Sequence, residues 1–531
     1  MLVKLKTYSL RGIEAVPVEV EVDVSRRGKD GVTIVGLPET VVKESTHRVS
    51  RAIENSGYTV PSHSILVNLA PADMPKQAAS FDVPIALGMI AAGGEFESDL
   101  FDRIAIVGEL ALDGSVRGCK GVLAMAMAAA KQRLRAFLVP AVNAREASVV
   151  EGIEVVPYTH LAEAIGYLSG ELEMEPIAHL REDEFVELTR YDVDFSDVRG
   201  QDSAKRALTI AAAGGHNVLM IGPPGTGKTM LAKRFPTILP PFSLAESLET
   251  TRIYSALGLL KPNLPLIGTR PFREPHHTIS VQGLVGGGSH PVPGEISLAH
   301  YGVLFLDELP EFSRRTLEVL RQPLEDGRVT IARANHVETV PSDFILIAAM
   351  NPCPCGYRND TRRVCRCSPP QIERYMAKIS GPLLDRIDIH IEVPPLDYKE
   401  LSSREPGRSS ASILEEVMRA RKIQSQRFAR SKARYNADMT HRQIVTYCRL
   451  DAEGEKILEN AMRDFGLSAR AHNKILRIAR TIADWRAPNR YRRNTCTSRS
   501  ATARSTGNSG TEKTDNPSVP FPFSGACFSI G

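Results

Sequence analysis

The residues best placed for chemistry form one stretch: Gly222, Pro223, Pro224, Gly225, Thr226, Gly227, Lys228 and Thr229. An apolar run at 217–221 precedes it and a helix-forming segment at 230–234 follows, giving the order strand, glycine loop, helix. Glycines let successive backbone N–H groups curl round a β-phosphate, and the helix start behind them adds partial positive charge. Lys228 can reach the β- and γ-phosphates, and the Thr229 hydroxyl can ligate Mg²⁺. The full pattern in this context outweighs an ordinary glycine-rich turn and implies a nucleoside triphosphate, ATP with Mg²⁺.

A second apolar run, 303–306, ends in Asp307 and Glu308. This places Asp307 at the Mg²⁺ and Glu308 beside the γ-phosphate, where it would orient and polarise an attacking water. Four thiols follow as two C-x-C pairs, Cys353 with Cys355 and Cys365 with Cys367, in a polar loop that also holds Arg358, Arg362, Arg363 and Arg366. Four thiolates could close a tetrahedral Zn²⁺ site, although C-x-C is tighter than the usual spacing; four reduced thiols are the alternative. His276 and His277 lack a third ligand at metal spacing and read as hydrogen-bonded loop histidines. The glycine triplet 286–288 is a loop reaching a central pore or a plain turn.

These residues need a scaffold. Residues 1–170 read as an α/β domain: 16–24 alternates apolar and polar as a half-buried strand, 64–69 is another strand, and helical patterns run through Val49, Ala52 and Ile53 and along the Ala/Met-rich stretch before Lys131. Residues 171–195 are charged, lack a core pattern and read as a linker. Residues 196–395 form the nucleotide core, with a long insertion over about 250–300. Residues 396–484 make a helical lid, with helices expected at 410–428, 451–465 and 469–482. From 485 to 531 the chain turns irregular and basic, either a disordered tail that touches nucleic acid or the product of a one-nucleotide frameshift. From Arg486 onward six Arg and one Lys face Glu512 and Asp515; with a net charge of +4 overall, the rest of the chain sums to −1 and gives no general support for nucleic-acid binding. The 531 residues, 42% hydrophobic and 24% charged, suit a multidomain globular chain. No signal-peptide core and no bilayer-length apolar run is present, so a cytoplasmic protein without membrane contact is expected. Eight cysteines in so long a chain do not make a disulfide scaffold.

Several phrases resemble magnesium-chelatase-like AAA+ proteins of the ComM type: 35–40 (VGLPET), 68–76 (NLAPADMPK), 81–87 (FDVPIAL), 294–300 (GEISLAH), 305–312 (FLDELPEF) and 351–356 (NPCPCG). The resemblance runs from Val35 to about Asp484. It implies a Lon-protease-like (ribosomal S5 domain 2-like) α+β domain at the N-terminus, a P-loop AAA+ parallel-sheet core and a C-terminal helical lid. It places 197–201 near the adenine, Asn351 as the first sensor, Arg386 as an arginine finger for a neighbouring subunit (a structural salt bridge being the alternative), and Arg470 as the second sensor. It further implies a homo-hexameric motor acting on single-stranded or branched DNA, promoting branch migration in recombination of incoming DNA. A magnesium-chelatase motor subunit acting on a protein partner is the first alternative. A Lon-like protease is the second: Ser80 follows Pro75 and Lys76, and Lys120 lies where such proteases keep the lysine of a Ser/Lys dyad, but the residues flanking Ser80 depart from their pattern.

Overall fold

The computed structural model describes residues 2–25, 31–72, 76, 79–288, 292–333, 336–358, 360, 363–396 and 407–486. The basic stretch from 487 onward lies outside the described residues, as do Pro75 and Arg362. The chain folds as two compact units: 1–190 with 242–268 and 291–293, and 191–241 with 269–290 and 294 onward.

The first unit is built on a seven-stranded mixed sheet. Its strands are β1 (Leu2–Arg11), β2 (Glu14–Ser25), β3 (Gly31–Val35), β4 (Ser64–Ala70), β5 (Ile104–Ile106), β6 (Ala136–Pro140) and β7 (Glu154–Tyr158), in the order β3-β4-β2-β1-β5-β6-β7. The alternation in 16–24 does what period two requires. Val18, Val20 and Val22 are buried, while Glu19 and Glu21 face outward and both pair with Lys4. Beyond β1 both faces are covered: Ile104, Ile106, Ala136 and Leu138 join one core cluster, and Ala105, Phe137 and Val139 join another. The helix Thr40–Asn55 buries Val49, Ala52 and Ile53, and the helix Val122–Lys131 buries its Ala/Met face.

Two sequence expectations need amending here. Residues 171–190 are not a bare linker: Glu182–Leu188 is helical, and Ile177, Leu180, Phe185 and Leu188 pack on the second cluster. Part of the long insertion also belongs to this unit. The helix Leu244–Leu257 carries Leu248 onto the same cluster, and Leu266 is fully buried in it.

The second unit holds an all-parallel five-stranded sheet, β8 (Val218–Ile221), β9 (Phe272–Arg273), β10 (Val303–Leu306), β11 (Ile345–Met350) and β12 (Ile389–Glu392), in the order β9-β10-β11-β8-β12. Strands β8, β10 and β11 are buried along their whole length, as a parallel sheet covered on both faces demands. The helices Ser410–Arg427, His441–Tyr447, Ala452–Phe465 and Ala469–Arg486 complete the unit. Ile413, Val417 and Ala420 of the first insert beside Ala204, Ala207 and Leu208 of the helix Asp202–Gly214. Trp485 and Arg486, read from sequence as the start of an irregular tail, are instead the last turn of the final helix; Trp485 packs on the core, and its Nε1 donates to Glu416 at 3.0 Å.

Candidate nucleotide site and four-cysteine cluster

Strands β8, β10 and β11 lie side by side and parallel, so their carboxyl ends open on one edge, where ligands of such sheets bind. Each end delivers part of the site. After β8, Gly225 and Gly227 take φ of +78° and +87°, a region that side-chain-bearing residues rarely adopt, and Gly227 caps the helix Lys228–Arg234. After β10 comes Asp307, whose Oδ2 accepts from the Thr229 hydroxyl at 2.7 Å. After β11 comes Asn351, whose Oδ1 accepts from Lys228 Nζ at 3.3 Å.

Lys228 Nζ also donates to the carbonyls of Gly222 and Pro223, at 2.7 and 2.8 Å. Burial lowers the pKa of this lysine, and the Asp307 carboxylate partly offsets that. The loop thus holds a nearly buried cation against its own carbonyls, positioned for an anion. The hydroxyl–carboxylate pair of Thr229 and Asp307 is an oxygen donor set that suits Mg²⁺. Gln201 is buried, and its Nε2 donates to the carbonyls of Thr226 and Pro394, so the 197–201 segment braces the loop from behind.

Glu308 sits in the left-handed region at φ +52°, a strained conformation for glutamate. Its own N–H donates to Asp307 Oδ1 at 2.9 Å, which fixes that turn. Its carboxylate lies 3.4 Å from His277 Nδ1. Sequence reading missed this contact. The His276 and His277 rings lie tilted against each other with centroids 4.1 Å apart, but among the described residues the group able to hold a metal is the cysteine cluster. The only advance signal was the pairing of two adjacent histidines with a preceding Glu-Pro, and Glu274 proves to pair with Lys233 of the phosphate-loop helix.

Arg386 is elsewhere. Its carbonyl accepts from Asn217 Nδ2 at the start of β8, whereas the phosphate loop follows the other end of that strand. At about 3.3 Å per residue the two lie on the order of 15 Å apart. The Arg386 guanidinium is paired with Glu325 at 2.5 Å and donates to the Pro382 carbonyl. Arg470 is exposed in the first turn of the final helix.

Cys353, Cys355, Cys365 and Cys367 bring all four sulfurs within 4.8 Å of one another, with Sγ···Sγ separations of 3.4, 3.7 and 3.6 Å among the first three. Burial pushes the Cys353 thiol up to about 12. Burial also opposes ionisation of Cys355, but the N–H groups of Tyr357 and Arg366 together with the thiols of Cys353 and Cys367 outweigh it and bring that thiol to about 6. Sulfurs on a tetrahedral zinc, with Zn–S of about 2.3 Å, sit about 3.8 Å apart, so the donor set fits that ion.

In the first unit, Ser80 and Lys120 do not meet. Among the described residues the buried Ser80 hydroxyl has no hydrogen-bond partner, and the exposed Lys120 lays its side chain along Gly258. The hydrogen bond that a Ser/Lys dyad needs is not formed.

Residues 194–401 match the family described as magnesium chelatase, subunit ChlI; residues 20–143 match subunit ChlI of Mg-chelatase, and 407–498 its C-terminal region. The competence protein ComM of Haemophilus influenzae is 44% identical over 475 residues, 89% of this chain and 92% of that protein. The chain belongs to the ComM-type, magnesium-chelatase-like family. The uncharacterized protein YifB of Escherichia coli is also 44% identical, over 90% of this chain and 92% of its own, and YifB of Salmonella typhimurium is 43% identical over the same shares. Membership of this AAA+ family implies ATP and Mg²⁺ as cofactors. No helix among the described residues is long and apolar enough to cross a membrane.

Proposed function

We propose that this chain is an ATP-hydrolysing motor that remodels DNA, promoting branch migration in recombination of incoming DNA, and that it works as a ring of six. The observation that carries hydrolysis is the convergence of Lys228, Thr229, Asp307, Glu308 and Asn351 at one sheet edge. Bound ATP with Mg²⁺ supplies the phosphoryl group and its charge neutralisation. Lys228 and the N–H groups of 225–229 hold the phosphates, Asn351 and Glu308 orient the water, and Glu308 polarises it. Arg386 lies too far from its own phosphate loop to help there, which supports its acting as a finger on a neighbour's γ-phosphate and hence a ring. Arg470 would sense the same phosphate from the lid.

DNA as substrate is supported by the competence name of the Haemophilus relative and by the basic loop with Arg358, Arg363 and Arg366. Arg363 lies over the Tyr357 ring at 4.9 Å, a surface that suits a nucleic acid strand. One zinc ion on the four cysteines completes the cofactors. The first unit is a Lon-related domain without a working dyad, and the chain works in the cytoplasm; a chelatase-type motor on a protein partner is the second reading, favoured by the family descriptions.

The test is the ATPase rate without DNA, with single-stranded DNA and with branched DNA, beside Glu308→Gln. Stimulation by branched DNA that vanishes in the variant is expected. A Glu308-dependent rate indifferent to every DNA would overturn the DNA reading and favour the protein-partner motor.

A further inference from the structure

From 351 to 368 the described residues form neither helix nor strand, and the four thiols are the groups that converge within this stretch. The stretch is tied to the nucleotide site at two points. Cys353 is two residues from Asn351, which accepts from Lys228 Nζ. Gly356, at φ +84°, lies so close to the phosphate loop that a Cβ there would sit 2.6 Å from Pro224 Cδ. The stretch that carries the cluster therefore abuts the phosphate loop at Pro224 and begins at Asn351.

We propose that metal on the four cysteines is the brace that sets the phosphate site, so that nucleotide binding follows metal occupancy. This rests on the zinc reading given above and goes beyond it. A zinc ion bound by thiolates replaces four separate thiols with one rigid centre and contributes folding free energy locally. Through Cys353 it fixes where Asn351 stands. Through Cys355 and the Gly356 turn it holds the wall against which Pro224 rests. Without the ion, 351–356 is free to shift, and a displacement of about 1 Å at a positioning group costs turnover on the order of 10²-fold.

The test uses the full chain. Metal content is measured on the protein as purified, and Co²⁺ is exchanged in to read the thiolate spectrum. Binding of a fluorescent non-hydrolysable ATP analogue is then measured on metal-loaded, chelator-stripped and Zn²⁺-restored protein, with circular dichroism reporting the fold. One zinc per chain, loss of nucleotide affinity on the order of tenfold on stripping, and recovery with Zn²⁺ but not Mg²⁺ are expected. In Cys367→His, which retains a ligand and guards against loss of fold on stripping, nucleotide affinity should rise in step with added Zn²⁺. Lys228→Ala should keep its zinc while losing the nucleotide. Zinc present but nucleotide affinity unchanged on stripping would overturn the brace and leave the metal site standing. No zinc on the purified chain and no uptake of Zn²⁺ by the reduced chain would overturn both.

Discussion

Asp484 is the residue whose loss the second unit should tolerate least. It is 2% exposed, and its two oxygens accept from Arg427 Nη1 and Nη2 at 2.7 and 2.5 Å and from Asn436 Nδ2 at 2.9 Å, with Arg480 at 3.1 Å. The network continues through Asn436 to Thr481, and from Thr481 to His216 at the end of the helix Asp202–Gly214. Asp484→Asn keeps the shape but removes the charge and turns an NH₂ toward a donor. The guanidinium of Arg427, only 7% exposed, is left without its counter-ion. Breaking a buried pair in this way costs about 3–5 kcal/mol. With a urea slope of about 2 kcal/mol/M, the midpoint should fall by roughly 2 M. The assay is built in: the single tryptophan, Trp485, is the next residue, so its fluorescence reports this end of the helix. Replacing the pair together, Arg427→Met with Asp484→Leu, should recover part of the loss, because it removes the uncompensated Arg427 charge while Arg480 and Asn436 still lose the carboxylate. A midpoint for Asp484→Asn within about 0.5 M of the parent would refute the claim that this carboxylate holds the helices together.

If Arg386 acts on a neighbour, a mixture of Arg386→Ala chains with Lys228→Ala chains should regain ATPase activity that neither has alone; an inactive mixture would leave Arg386 as the structural partner of Glu325. In the first unit, burial raises the Glu146 carboxyl to about 7 from an ordinary 4.5. Its contribution is therefore fully present below about pH 4.5 and is lost as pH rises through 7, about 3 kcal/mol in all. Thermal melts across that range should show the decline in the parent but not in Glu146→Gln. His390 has the opposite sign: burial lowers it to about 4 from 6.5, so the second unit should weaken as pH falls from 6.5 to 4, and His390→Phe should be less sensitive there.

What the sequence made legible was whatever local order encodes. The phosphate loop, Asp307 with Glu308, and Asn351 each follow a short apolar run, and a run of that kind ending in polar residues already says which side chains reach the open edge of a parallel sheet. The helix Leu244–Leu257 was harder, because the residues it buries are mostly Ser and Thr, with Ile253 and the packed Leu248 as the apolar exceptions. Ser247, Thr251 and Ser255 are buried and satisfied, donating to the carbonyls of Ile267 and Ser247 and to the Glu146 carboxylate, so no apolar stripe marks the contact. Nor could a charged stretch such as 171–190 announce that four scattered apolar residues would pack.

The least legible features are the partners of the two most chemical side chains. His277 lies 31 residues before Glu308, and Glu325 lies 61 before Arg386; neither pair shares a strand, a helix or a motif. Such pairings are fixed by which loops the sheet brings to one edge, a property of the whole topology. They are also where function departs from stability. In the Arg386–Glu325 pair the carboxylate is 51% exposed and screened by water, whereas the arginine is 11% exposed and is also held by the Pro382 carbonyl. Service to a neighbouring subunit would require that guanidinium to leave both partners, so the mixture of Arg386→Ala with Lys228→Ala chains also tests whether this pair opens.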